Sequence, residues 1–162
     1  MKVSSIVAMG NNRVIGKNNQ MMWHVPSEFN HYRKLLGEHL FVIGRKNYEG
    51  SVNKLNSKRA IILTRNLNYD SNLMVANSPE ESLEIAHKLG EKELFIMGGE
   101  QVYREFMPII DTLYLSVINF QEEGDTYFPP HEHINWKTKR FFEKEVDGET
   151  PISWKFFELV RN

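Results

Sequence analysis

Apolar residues fall in short runs with helix-like stretches between them. Val3 to Met9, Leu40 to Ile43, Ala60 to Leu63, Leu73 to Ala76, Leu94 to Met97 and Leu113 to Ile118 are rich in β-branched and aliphatic side chains and read as strands. Ser27 to Leu36, Pro79 to Leu89 and Gln101 to Met107 read as helices, and Pro79 sits where a first turn tolerates a missing N–H. This alternation predicts a largely parallel sheet with helices on both faces, because parallel neighbours need a crossover between them. The last third departs from the pattern. Lys137 to Val146 and Ile152 to Val160 are extended and aromatic-rich around the turn signal Asp147-Gly148-Glu149, which predicts a closing antiparallel pair. The predicted fold class is therefore α/β. With 162 residues and neither a repeat nor a linker, residues 1–162 are expected to form one domain.

Composition narrows the partners. A formal net charge of -1 gives no electrostatic footprint for nucleic acid or an anionic membrane, so the expected partners are small molecules. The absence of cysteine excludes disulfides and thiolate metal clusters and fits a reducing compartment. The first apolar run is too short for a signal peptide, and no run approaches the ~20 residues of a membrane helix. The cytoplasm is the expected location.

Ligands of open α/β sheets bind beyond the carboxyl ends of the strands, so those positions hold the candidate chemistry. Met97-Gly98-Gly99-Glu100-Gln101-Val102-Tyr103 follows a strand and opens a helix, where glycines admit a close ligand and free N–H groups favour a phosphate. The G-x-G-x-x-G fingerprint is missing. Gly44-Arg45-Lys46-Asn47 and Thr64-Arg65 bring three cations and a hydroxyl to two further strand ends, a set suited to a phosphate ester. In Trp23-His24-Val25-Pro26-Ser27-Glu28-Phe29, Ser27 and Glu28 suit a helix start, as cap and dipole partner. Equally, Glu28 among Trp23, Phe29 and Tyr32 suits a desolvated acid of raised pKa. Spacing alone leaves both readings open. His131-Glu132-His133 is not a zinc-binding H-E-x-x-H, and Pro129-Pro130 before it suggests an irregular segment, so no metal is expected.

In order and spacing, several segments together resemble the dihydrofolate reductase family nearly end to end. They are Ile6 to Met9, Asn12 to Gly16, Met22 to Glu28, Val42 to Glu49, Ala60 to Arg65, Phe95 to Gly99 and Glu123 to Pro129. The resemblance implies a single-domain, mostly parallel eight-stranded sheet with flanking helices and NADPH-dependent reduction of dihydrofolate to tetrahydrofolate. It implies that Glu28 bonds the pterin and assists its protonation, with Trp23 and Tyr103 as the other catalytic positions. The pterin would lie among Ile6, Val7, Ala8, Phe29, Tyr32 and Met97, with Ser116 where the family commonly has a threonine bonded to the acid. Ser51, Leu55, Lys58 and Arg59 match positions near the benzoyl-glutamate tail. Met21 and its neighbours match the loop that closes over the nicotinamide. NADPH would take Arg45, Lys46, Asn47, Thr64 and Arg65 for its phosphates and adenosine end. It would take Gly98, Gly99, Glu100, Gln101, Val102 and Tyr103 for the pyrophosphate and nicotinamide side. Ala8, Ile15, Gly16, Asn19, Gly44, Leu63, Met97 and Thr126 complete the implied cofactor set. Antifolate binding and a monomeric state are further implications.

Departures from the family pattern centre on the tail. Lys58 stands where an arginine commonly grips the glutamate carboxylate, and an ammonium cannot form the same fork. Arg59 is the neighbouring substitute. Met22 replaces a proline before Trp23, and Ser51 replaces an apolar residue. Two rival readings are a pyrimidinone reductase of riboflavin synthesis and an inactive nucleotide-binding homologue. The Trp23-to-Glu28 segment speaks against both.

Overall fold

The computed structural model describes residues 1–51, 56–70 and 72–162. The chain order is β1 (Lys2–Gly10), β2 (Val14–Gly16), α1 (Pro26–Leu36), β3 (Phe41–Gly44), α2 (Arg45–Ser51), β4 (Ala60–Leu63) and β5 (Met74–Ala76). There follow α3 (Pro79–Lys88), β6 (Glu93–Ile96), α4 (Glu100–Phe106), β7 (Thr112–Ile118), β8 (Thr126–Tyr127), β9 (Trp136–Lys144) and β10 (Trp154–Arg161). Eight strands form one sheet in the order β5-β4-β3-β6-β1-β7-β10-β9. The first six are parallel, and β10 runs antiparallel to both β7 and β9. The predicted α/β class and the closing antiparallel pair are both present.

Side-chain alternation explains why β1 is apolar along most of its length. Val3, Val7 and Met9 pack on one face with Val102, Tyr103 and Phe106 of α4 and Ala86 of α3. Ile6 packs on the other, with Leu36 of α1 and Tyr48 of α2, and Ala8 lies against the same cluster. Both faces of the central strands are thus covered, the condition under which near-continuous apolar runs are expected. α3 is fixed at its start by local chemistry. The Ser78 hydroxyl accepts the Glu81 N–H at 3.1 Å, and Pro79 fills the first turn.

Register sets the site. Gly44 pairs with Leu63 and Leu63 with Ala76, so Arg45 and Thr64 leave the sheet side by side. Ala8 and Phe156 both pair with Ser116, which puts these three on one face. Two features differ from expectation. The two-strand sheet of β2 and β8 lacks a sequence signal, since two or three residues cannot display a period. Ser27 is not a cap: α1 begins at Pro26, and the Ser27 hydroxyl instead pairs with Thr150 at 2.7 Å and accepts the Trp154 indole N–H at 3.0 Å.

Candidate active site

α1 presents its first turn to the sheet, and Glu28 points inward from it with 4% of its surface exposed. Burial pushes its carboxyl from 4.5 up to about 7, while the Ser116 hydroxyl pulls the other way and leaves the rise in place. A carboxyl of that kind holds a proton at neutral pH about half the time. Tyr32 stacks on Phe29 at 6.3 Å, and burial together with the Glu28 carboxylate raises its phenol, so it stays neutral. Ile6, Ala8, Tyr32 and Met97 lie against the same apolar cluster. Val7 differs: its side chain packs on the opposite face, so only its backbone is available to a ligand on the Glu28 side.

The raised carboxyl has a consequence for stability. A folded-state pKa above the unfolded value means that the native state binds the proton more tightly. Its contribution is therefore present at low pH and lost as pH climbs from 4.5 through about 7. The rise amounts to about 3 kcal/mol at full ionisation. Glu28→Gln is expected to be the more stable protein at pH 8, with the advantage gone near pH 4. Urea unfolding at both pH values checks this. Equal midpoints at pH 8 would show that the carboxylate is not destabilised there.

Trp23 packs edge-on to Phe120 at 5.3 Å, and its buried indole N–H has no partner among the described residues. The chain before it turns through Asn18 and Asn19, both at positive φ, with Lys17 and Gln20 bonded across the turn at 2.9 and 3.0 Å. Asparagine tolerates such backbone where most residues do not. Asn19 donates to the Lys46 carbonyl at 2.8 Å, and Asp125 receives the Asn18 N–H at 2.8 Å while donating its own to Gly16 at 3.0 Å. These bonds hold the turn between α2 and the β2–β8 sheet, with Met21 beyond it, 54% exposed. Ile15 and Thr126 are half-buried in that small sheet.

Beyond β6 the backbone itself forms the floor. Gly98 adopts φ 105°, and a Cβ there would lie 2.8 Å from the Tyr103 ring; one on Gly99 would lie 2.7 Å from the Asn47 amide. The Gly44 N–H donates to the Gly98 carbonyl at 2.8 Å, joining the ends of β3 and β6. Tyr103 is buried and donates to the Ile6 carbonyl at 2.7 Å; burial, with Tyr32 and Glu28 nearby, holds its phenol well above the usual value. Its hydroxyl ties α4 to β1. Val102 is buried beneath Gly44, Gln101 is exposed, and Glu100 accepts the Tyr127 N–H at 2.7 Å.

Arg45 is half-buried at the end of β3, Lys46 is exposed, and Thr64 follows β4 with Arg65 exposed beside it. Leu63 is half-buried just before them. Sequence reasoning missed Glu49, whose carboxylate meets the Arg45 guanidinium at 2.9 Å; their spacing of four in a helix is the signal that would have found it. Ser51 closes α2, half-buried, and Leu55 lies outside the described residues. Lys58 is exposed. Arg59 is engaged elsewhere, donating to the Glu38 carbonyl at 2.8 Å and to the Glu91 carboxylate at 3.1 Å.

One buried acid that shares a proton near neutrality, in a sheet whose glycine-floored strand ends are lined with cations, fits an enzyme that uses a phosphorylated nucleotide. The family model described as dihydrofolate reductase matches residues 2–161. The Staphylococcus haemolyticus dihydrofolate reductase is 34% identical over 164 residues, covering 99% of this chain and 98% of its own. The Bacillus subtilis enzyme of that name is 32% identical over 155 residues, covering 95% and 91%. Among solved structures, dihydrofolate reductase from Enterococcus faecalis, complexed with NADP(H) and RAB-propyl, superposes with a TM-score of 0.89 at 30% identity, covering 99% of this chain and 96% of that one. The chain belongs to the dihydrofolate reductase family.

Proposed function

We propose that the chain catalyses NADPH-dependent reduction of 7,8-dihydrofolate to 5,6,7,8-tetrahydrofolate, with Glu28 as the group that manages the proton. The observation that carries this is the burial of Glu28 opposite Ser116, with its carboxyl pushed up to about 7. The residues present fit the cofactor: side chains at Gly98 and Gly99 would fill the floor, and Arg45, Thr64 and Arg65 collect at adjoining strand ends. NADPH, when bound, supplies the hydride. The chain supplies position and a proton.

Glu28 accepts the hydrogen bonds of the pterin amino group and ring N–H when ionised. When protonated, it is the nearby source for the proton that N5 gains. The Trp23 indole N–H, buried without a partner among the described residues, suits an acceptor or a water held beside that acid. Tyr103 and Ser116 keep β1 and the carboxyl in register. A monomer in the cytoplasm is the working form we infer with this activity. The direct test is loss of NADPH absorbance when dihydrofolate is added to purified protein. No change with dihydrofolate, at a concentration where NADPH binds, would overturn the assignment.

Two positions are candidates for the glutamate tail. Arg59 is bonded to Glu91 and Glu38 while Lys58 is exposed, which supports Lys58 as the cation for the carboxylate. Lys58→Arg restores a planar fork and is expected to tighten dihydrofolate by roughly 0.5–1.5 kcal/mol, with no effect on a pteridine lacking the tail. Dissociation constants for both ligands decide it. If the two shift together, residue 58 is not reading the tail.

A further inference from the structure

The Arg45 guanidinium bonds Glu49 through Nη1 alone, at 2.9 Å to Oε1 and 3.2 Å to Oε2. Its Nε and Nη2 make no hydrogen bond among the described residues. An ion pair spaced by four on an exposed helix adds little to folding. What such a pair does not require is a third member from another element. The Tyr69 hydroxyl, on the connection between β4 and β5, donates to the same Glu49 oxygen at 3.2 Å, and Tyr69 packs against the core. The hydrogen bond from Arg45 holds the Glu49 carboxyl below the usual carboxylate range, so it is charged at neutral pH. A negative group is thus fixed beside the cation that ends β3, next to Thr64 and Arg65.

We propose that Glu49 is a specificity-determining residue for the cofactor's 2′-phosphate: it turns the free edge of Arg45 to the phosphate and places a carboxylate against it, which limits the affinity for NADPH. This rests on the reading of Arg45 as a phosphate ligand. Two effects oppose each other, and their sizes decide the sign. Losing the orientation of Arg45 would weaken binding, but a Gln at 49 keeps an amide oxygen for Nη1. Losing the charge removes repulsion between a monoanion and a phosphate of nearly two charges on the same guanidinium, a separation inside the ~10 Å screening length at 0.1 M salt. Repulsion is the larger.

Glu49→Gln should therefore tighten NADPH by about three- to tenfold at low salt while changing NADH less than about twofold, and ~0.5 M salt should erase most of the difference. Fluorescence titration of NADPH and NADH against wild type, Glu49→Gln and Arg45→Ala provides the measurement. If Arg45→Ala weakens NADPH selectively and Glu49→Gln leaves NADPH unchanged or weaker, the inference is overturned while the phosphate reading stands. If Arg45→Ala affects both cofactors alike and Glu49→Gln has no selective effect, both are overturned. Selective tightening by Glu49→Gln together with selective weakening by Arg45→Ala supports the inference; tightening without selective weakening by Arg45→Ala overturns it, because Glu49 would then not act through Arg45.

Discussion

Glu28→Gln is expected to lower turnover by on the order of 10²-fold or more at neutral pH, the loss expected when a general acid–base group is removed. The amide preserves the size of the side chain but cannot ionise, and it cannot carry the proton that N5 must gain. The pH profile separates this from a packing effect. With the wild-type carboxyl at about 7, the protonated fraction falls roughly tenfold for each pH unit above that value, so a rate limited by the proton should fall with it. The variant should lose that dependence along with its rate. Single-turnover kinetics from pH 5 to pH 9 give both readouts. A variant that keeps wild-type rates, or keeps the same titration at reduced rate, would assign the proton to another group. The same burial that equips Glu28 for this step destabilises the folded protein above neutrality, so activity and stability pull in opposite directions at one residue.

Much of this arrangement was legible before any coordinates, and the reasons are specific. β1, β3, β4 and β6 are buried on both faces, so their apolar runs stand out against polar connections. Gly98-Gly99 at a strand-to-helix turn allows a close backbone approach or merely a turn in sequence, and in the fold an added Cβ at either position would meet Tyr103 or Asn47. The Glu28 segment allowed two readings because Pro26 and an acid in the first turn suit a helix start as well as a catalytic pocket. What favours the pocket is depth of burial beside Ser116, a residue distant in sequence. The surroundings of Arg59 are unreadable for the same reason. Its partners Glu38 and Glu91 come from other connections, and no local pattern places a guanidinium between them. Tyr69 reaching Glu49 across the end of the sheet is equally invisible in sequence.

Gly98→Ala is expected to be the most damaging single-methyl change near the site, and Gly90→Ala shows how much of that damage is backbone strain. Both glycines have positive φ, 105° at Gly98 and 74° at Gly90, so an added Cβ strains each. At Gly90 nothing lies within 4 Å, and strain is the only cost, about 1–2 kcal/mol. At Gly98 the new carbon would sit 2.8 Å from a ring atom of Tyr103. That ring cannot swing away cheaply, because it is buried against Phe128 at 4.9 Å and its hydroxyl holds the Ile6 carbonyl at 2.7 Å. Overpacking of this kind adds roughly 1–3 kcal/mol to the strain. A protein of this size loses about 2–4 °C of melting temperature per kcal/mol, so Gly98→Ala should melt well below Gly90→Ala. The displaced Tyr103 would also shift β1 under the pterin and raise the floor under the cofactor. NADPH affinity should therefore fall by on the order of tenfold or more in Gly98→Ala and stay unchanged in Gly90→Ala. Thermal melts with and without NADPH report both effects. If the two variants melt together and respond to NADPH alike, Gly98 is needed only for its backbone angle, and the floor beyond β6 is not where the cofactor lies.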